Sequence, residues 1–215
     1  MEKRKNCPDS PKEFPDTLET IRARIREKHR MEREAMSTAE VAEKSAEICD
    51  RLPKEPWYAD CPVIYGYYPI RNEVDCRSFL EHALLDKKIV ALPKMTEKMS
   101  EYTENDGKAS KFMDFYRISS LEEVTCGKFH VMEPADTCPR VTESHAVVLV
   151  PGVVFGRDGN RYGFGQGYYD RYFARFPGLY RIGIAYENQL EDTLAVLSTD
   201  VRMNAVCTEE KMIYF

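Results

Sequence analysis

Residues 145–150 read His-Ala-Val-Val-Leu-Val. Pro151 and Gly152 follow at once, then a loop with five more glycines at 156, 159, 163, 165 and 167. A nearly continuous apolar run of strand length is expected of a strand covered on both faces, so helices must pack on both sides of its sheet. A second signal agrees. Residues 63–68 read as a strand, 75–87 as a helix with Phe79, Leu80, Ala83 and Leu84 inward, and 88–92 as the next strand. Such a unit closes by a right-handed crossover between parallel strands. The expected fold is therefore α/β: a single three-layer-like domain with a mostly parallel central sheet, helices on both faces and two N-terminal helices.

A chain of 215 residues suits one domain of this kind. Residues 1–15 mix charges with three prolines and are expected to form a flexible arm, leaving 16–215 as the domain. The first helix should begin near Asp16 or Thr17, with Leu18, Ile21 and Ile25 at helical spacing and Arg22, Arg26 and Arg30 sharing another face. Ser37 and Glu40 have the S-x-x-E spacing of a capping box, and Val41, Ser45, Ile48 and Leu52 continue as a buried stripe up to Pro53. Residues 96–110 read as a turn or excursion. Further strands are expected near 111–118, 128–133, 180–186 and 205–215, with a loop over 151–167 and a helix over 168–176.

The net charge of −5 disfavours general nucleic-acid binding. No stretch approaches the roughly 18 apolar residues of a membrane span, and the first residues lack the apolar core of a signal peptide. A cytoplasmic protein is expected, without a nucleic-acid or membrane partner and more readily a monomer than an oligomer. Seven cysteines without a C-x-x-C pair and four histidines without ligand spacing argue for reduced thiols over disulfides or zinc.

The glycine loop followed by a helix start is built like a phosphate cradle. Glycines permit positive φ and close approach of a ligand, and a helix N-terminus offers free N–H groups to an anion. Neither the dinucleotide fingerprint nor the P-loop pattern fits, since Tyr168 stands where the former requires glycine and no Gly-Lys-Ser/Thr occurs. A tight loop whose glycines serve only turns is the competing reading.

Residues 159–171, Gly-Asn-Arg-Tyr-Gly-Phe-Gly-Gln-Gly-Tyr-Tyr-Asp-Arg, closely resemble the signature of 5-formyltetrahydrofolate cyclo-ligases. The likeness extends over about 18–215, through the arginine-rich first helix, the Arg-Glu-Ala-Met-Ser entry to the second at 33–37, and Asn72, Glu73, Val74 and Asp75 after the first strand. The resemblance implies ATP-dependent cyclisation of 5-formyltetrahydrofolate to the 5,10-methenyl form, with ATP and Mg2+ as cofactors and a small-molecule folate as partner. It implies ATP contacts from Arg22, Arg26, Arg161, Tyr162, Gly163, Phe164, Gly165, Gln166, Gly167, Tyr168 and Tyr169. Folate contacts are implied for Ile70, Glu73, Asp75 and the shared segment 164–168. Arg161 and Tyr168 are the implied catalytic residues, and Asp170 and Asp200 the implied metal ligands.

Each assignment has a plainer competitor. Arg161 could be a solvated loop arginine, Arg22 and Arg26 a solvated basic face, Asp170 a helix-dipole partner and Asp75 a helix N-cap. The chain departs from the family pattern at Arg22, where lysine is usual, and at Gly156, Thr199 and Asn204. A non-catalytic folate- or nucleotide-binding relative and another phosphotransferase on a similar fold are the alternatives.

Overall fold

A computed structural model describes residues 17–96, 112–127 and 131–215. The expected N-terminal arm, nearly all of the 96–110 excursion and the start of the strand at 128–133 lie outside the described residues. The helices are α1 (Leu18–Glu34), α2 (Thr38–Arg51), α3 (Pro56–Asp60), α4 (Arg77–Leu85) and α5 (Tyr168–Arg175). The strands are β1 (Val63–Tyr65), β2 (Ile89–Thr96), β3 (Phe112–Ile118), β4 (Val124–Cys126), β5 (Met132–Pro134), β6 (Arg140–Val141) and β7 (Val147–Pro151). After them come β8 (Val154–Gly156), β9 (Arg161–Tyr162), β10 (Tyr180–Ile184), β11 (Leu190–Glu191), β12 (Ala205–Cys207) and β13 (Met212–Tyr214).

The main sheet runs β13-β12-β10-β7-β1-β2-β3-β6. Its five central strands, β12, β10, β7, β1 and β2, are parallel, and antiparallel strands extend both edges. The chain builds outward from β1 to β2, then returns to the other side of β1 with β7 and continues through β10 to β12. The order of winding therefore reverses between β1 and β7. At such a reversal the connections leave toward opposite faces and open a crevice beyond the carboxyl ends of the two strands.

Alternation along the strands feeds two cores. Ile64, Leu149, Ile182 and Ala205 face α2 and α4, where Ile48, Leu52, Phe79, Leu80 and Ala83 are buried. Tyr65, Val148, Val150 and Val206 face α5 with its buried Tyr172 and Phe173. Tyr65 stacks on Phe115 at 4.5 Å between ring centroids. Each buried aliphatic or aromatic side chain contributes about 1.5–3 kcal/mol. The capping box opens α2, with Glu40 N–H on Ser37 Oγ and Ser37 N–H on the Glu40 carboxylate.

Four sequence expectations need correction. In α1 the inward face carries Arg22, His29 and Arg33, while Ile21 is exposed; Arg30 lies on the outer face, paired with Glu27 and Glu34. The first strand ends at Tyr65 and its helix begins only at Arg77, so residues 66–76 form a long connection at the sheet's carboxyl edge. The loop at 151–167 contains the β8–β9 hairpin. The last expected strand divides into β12 and β13, an antiparallel hairpin that turns at Thr208 and Lys211. Among the described residues no helix is long and apolar enough to cross a membrane, and the six described cysteines are free thiols.

Candidate active site

A cleft of about 1750 Å3 opens where the winding reverses. It is lined by the amino-terminal half of α1, the connection after β1, the glycine loop after β7, and residues 197–201. Gly165 and Gly167 adopt φ of 88° and 65°, conformations that side-chain-bearing residues adopt only under strain. Gly167 is also the N-cap of α5 and brings no side chain to its first-turn N–H groups. Guanidinium groups surround the same loop. A Cβ added to Gly163, Gly165 or Gly167 would stand 2.8 Å from Arg161 Nη1, 3.9 Å from the Arg26 guanidinium carbon or 2.9 Å from Arg171 Nη1. A backbone stripped of side chains and bordered by three arginines is suited to an extended anion.

Tyr162 lies beneath this loop instead of lining the cleft. Its hydroxyl donates to the Ala195 carbonyl at 2.5 Å, and its fully buried ring carries the guanidinium carbons of Arg22 and Arg26 at 4.6 and 5.5 Å. The tyrosine is thus a platform that sets both arginines at one height. Arg22 donates to both carboxylate oxygens of Asp200 at 2.5 and 3.1 Å. Among the described residues Arg26 has no comparable acid, its Nε is buried without a hydrogen-bond partner, and burial together with the neighbouring Arg22 lowers its pKa.

Arg161, 6 % exposed, reaches back to the Pro151 carbonyl at 3.3 Å and sideways to the Asp170 carboxylate at 3.3 and 3.4 Å. Asp170 also accepts the Val201 N–H at 3.2 Å, which brings its carboxylate to the Asp200–Val201 peptide. Two carboxylates from α5 and from the 197–201 segment therefore share one wall of the cleft. Among the described residues no group of three or more His, Cys, Asp or Glu could hold a metal, so any ion here would need further oxygens from a ligand.

The connection after β1 brings different chemistry to the cleft. Glu73 is 5 % exposed and accepts the Ile70 N–H at 3.1 Å. Burial, opposed by Arg33 and Arg71, pushes its pKa up to about 7. Ile70, Met95, Met113 and Met132 add apolar lining to the same cleft. Phe164, half exposed, has the guanidinium carbons of Arg33 and Arg71 at 5.7 and 5.9 Å from its ring centroid. A flat heteroaromatic ring with donors along one edge would suit a recess that pairs an apolar surface with a carboxylate.

The structure brings together on the cleft Arg22, Arg26, Ile70, Glu73, Arg161, Gly163, Phe164, Gly165, Gln166, Gly167, Tyr168, Tyr169, Asp170 and Asp200. Asp75 stands apart. Its carboxylate holds the Arg77 N–H at 3.1 Å and the Arg77 guanidinium at 2.6 Å, one residue ahead of Cys76, which is the N-cap of α4, so the N-cap reading of Asp75 does not hold either. Arg71, Arg171, Tyr67, Tyr68 and the methionines also line the cleft and went unnoticed in the sequence. Arg33 was recoverable. It lies seven residues beyond Arg26 and eleven beyond Arg22, on the same face of the helix.

Two departures from the family pattern have structural accounts. Asn204 caps strand β10 from the side, accepting the Arg181 N–H at 2.8 Å. Gly156 ends β8 against Asp158, whose side-chain oxygen would lie 2.1 Å from an added Cβ. Asp158 binds the N–H groups of Asn160 and Leu194, so the acid two residues on organises this turn.

The 5-formyltetrahydrofolate cyclo-ligase family profile matches residues 19–209. A probable 5-formyltetrahydrofolate cyclo-ligase of Caenorhabditis elegans is 25% identical over 193 residues, covering 84% of this chain and 88% of the relative. The Mus musculus 5-formyltetrahydrofolate cyclo-ligase is 23% identical over 202 residues, covering 88% and 92%. Among solved structures, the 5,10-methenyltetrahydrofolate synthetase of Aquifex aeolicus superposes with a TM-score of 0.74 at 28% identity, covering 90% of this chain and 92% of that one. A synthetase of the same name from Mycoplasma pneumoniae gives 0.63 at 25%, covering 87% and 98%.

Proposed function

The chain belongs to the 5-formyltetrahydrofolate cyclo-ligase family, and from that premise we propose how its cleft performs the ATP-dependent closure of 5-formyltetrahydrofolate to 5,10-methenyltetrahydrofolate, with release of ADP and phosphate. One observation carries the reading. A single cleft is lined by an arginine-bordered glycine loop, the buried carboxyl group of Glu73 and apolar side chains.

The chemistry follows from the substrate. The N5-formyl group is an amide, and its oxygen leaves poorly. Attack of that oxygen on the γ-phosphorus of ATP expels ADP and converts the oxygen into a phosphate ester. N10 of the same molecule then attacks the formyl carbon, the C–O bond breaks, phosphate departs and the N10 proton is lost to water. Both reacting atoms lie in one molecule, so orientation supplies much of the acceleration. No protein nucleophile is required.

In this proposal the loop from 163 to 168 cradles the ATP phosphates, with Arg26 and Arg161 offsetting the charge that builds on the transferring group. Phe164 and Tyr168 lie between the two substrates, and Glu73 accepts from the donor edge of the pterin while Ile70 and the methionines cover its faces. Asp170 and Asp200 fit a magnesium ion, because such an ion needs one or two carboxylates plus phosphate oxygens and waters. Bound there, magnesium would supply positive charge to the phosphates. Both carboxylates are held by arginines in the structure, so loading the site requires these pairs to loosen. Asp75 is left out of the substrate set and given its place ahead of α4.

Thermal stability with each ligand alone and with both tests the shared cleft. A non-hydrolysable ATP analogue with magnesium and 5-formyltetrahydrofolate together should raise Tm beyond the sum of the separate shifts. Strict additivity, or no response to the folate, would contradict a single cleft for the two.

A further inference from the structure

Arg33 is 1 % exposed, a costly place for a guanidinium unless it does something there. It does not itself line the cleft. Its Nη1 donates to the Gly152 carbonyl at 2.9 Å and stands 3.9 Å from Glu73 Oε1. Among the described residues Nε and Nη2 have no hydrogen-bond partner. The carbonyl it holds also receives Gln189 Nε2 at 3.0 Å, and the preceding carbonyl, of Pro151, receives Arg161. Arg33 thus lies at the joint between the glycine loop's first residue and the Glu73 carboxyl group.

We infer that Arg33 is a positioning residue for the cyclisation, holding the Glu73 carboxyl group in place beside the folate pocket while it anchors the loop at Gly152. The inference rests on the reading of that pocket as a folate site. Among the described residues few groups face Glu73. Arg71 and Tyr67 come from its own connection, and Tyr169 from α5. Burial raises the pKa of both tyrosines, so they stay neutral. Of the two cations, Arg33 is the more strongly felt at Glu73, ahead of Arg71, and opposes the burial that favours the protonated acid. A neutral Glu73 would present an O–H to a ligand edge that itself donates, so the ionised form is the competent one. The spare donors on Arg33 give it the means to close on the carboxylate when a substrate draws the charge forward.

The test is the protonation of Glu73 in the full-length protein, read by NMR of 13C-carboxyl-labelled glutamate and assigned with Glu73→Gln. It is paired with kcat/KM for 5-formyltetrahydrofolate between pH 6 and 9. Arg33→Leu should move the Glu73 midpoint upward by about one pH unit or more. The acid limb of kcat/KM should move with it, giving about a five-fold loss at pH 7 that recovers at pH 9. Arg33→Lys should restore much of the midpoint, and Arg33→Leu in a Glu73→Gln background should shift no limb further. A Glu73 midpoint unmoved in both Arg33 variants would overturn the inference, as would an activity loss in Arg33→Leu equal at every pH. Should Arg33→Leu not fold, Arg33→Gln, which keeps a donor for the Gly152 carbonyl but carries no charge, takes its place, and the same upward shift or its absence decides. The titration needs no turnover, whereas a wild-type protein forming no methenyltetrahydrofolate would count against the folate reading itself.

Discussion

Arg22 and Asp200, 178 residues apart, meet in a two-pronged ion pair at 2.5 and 3.1 Å, with side chains only 8% and 11% exposed. A lysine could not make this fork, so the arginine that departs from the family pattern ties α1 to the 197–201 segment. Burial pulls the Asp200 pKa upward, but the Arg22 fork and the Leu197 N–H more than offset this and hold it below the ordinary value. The pair therefore stabilises the fold above the ordinary aspartate range and loses that contribution as pH falls through the depressed pKa. Arg22→Ala should cost about 1–2 kcal/mol at pH 7, between the exposed and buried limits for ion pairs, and less at pH 3. Urea unfolding at both pH values measures this, and an equal cost at both would refute it.

Arg26 and Arg30 lie one turn apart on α1, yet Arg26 borders Gly165 while Arg30 is spent on Glu27 and Glu34 outside the cleft. Arg26→Ala should weaken ATP binding by about 1.5–3 kcal/mol, the range of a charge-assisted hydrogen bond. Arg30→Ala should leave it unchanged. Calorimetry at one salt concentration compares the two, and equal small losses would remove α1 from the ATP site.

The sheet, its helices and the glycine loop were legible because each rests on a local signal: the apolar run before Pro151, the capping box at Ser37, the strand–helix–strand unit around Phe79 and Leu80. What remained hidden depends on side-chain partners. Nothing near Arg22 in the chain announces Asp200, and Asp75, placed in the site by the resemblance, pairs with Arg77 two residues on. The inward face of α1 misled for a physical reason. Hydrophobic periodicity assumes that the buried stripe is apolar, whereas α1 packs over a polar site and buries Arg22, His29 and Arg33.

Asp170 accepts the Val201 N–H and pairs with Arg161, so its substitution has two separable effects. Asp170→Asn keeps an oxygen for the amide but loses the charge. Turnover should fall at least about ten-fold, and the magnesium concentration for half-maximal rate should rise. Rates measured across a magnesium series decide, and an unchanged magnesium midpoint would strike Asp170 from the metal set.

Glu73 affects stability in the opposite sense to Asp200. With its folded pKa raised to about 7 by burial, against the Arg33 charge, the folded state holds this proton more tightly than the unfolded chain. Stability should therefore decline as pH rises from about 4.5 to 7, by up to about 3 kcal/mol from this one group, and level off above. Glu73→Gln should flatten that slope. Urea unfolding from pH 5 to 8 in both proteins tests it; parallel curves would show that Glu73 titrates as an ordinary exposed carboxyl.

The central claim is that one cleft couples ATP cleavage to ring closure. Purified protein with 5-formyltetrahydrofolate, ATP and magnesium should generate the absorbance of 5,10-methenyltetrahydrofolate, with one ADP and one phosphate released per molecule formed. Neither ADP nor product should appear when the folate or the ATP is withheld. Product without stoichiometric ADP, or ADP released at the same rate in the absence of folate, would contradict the account.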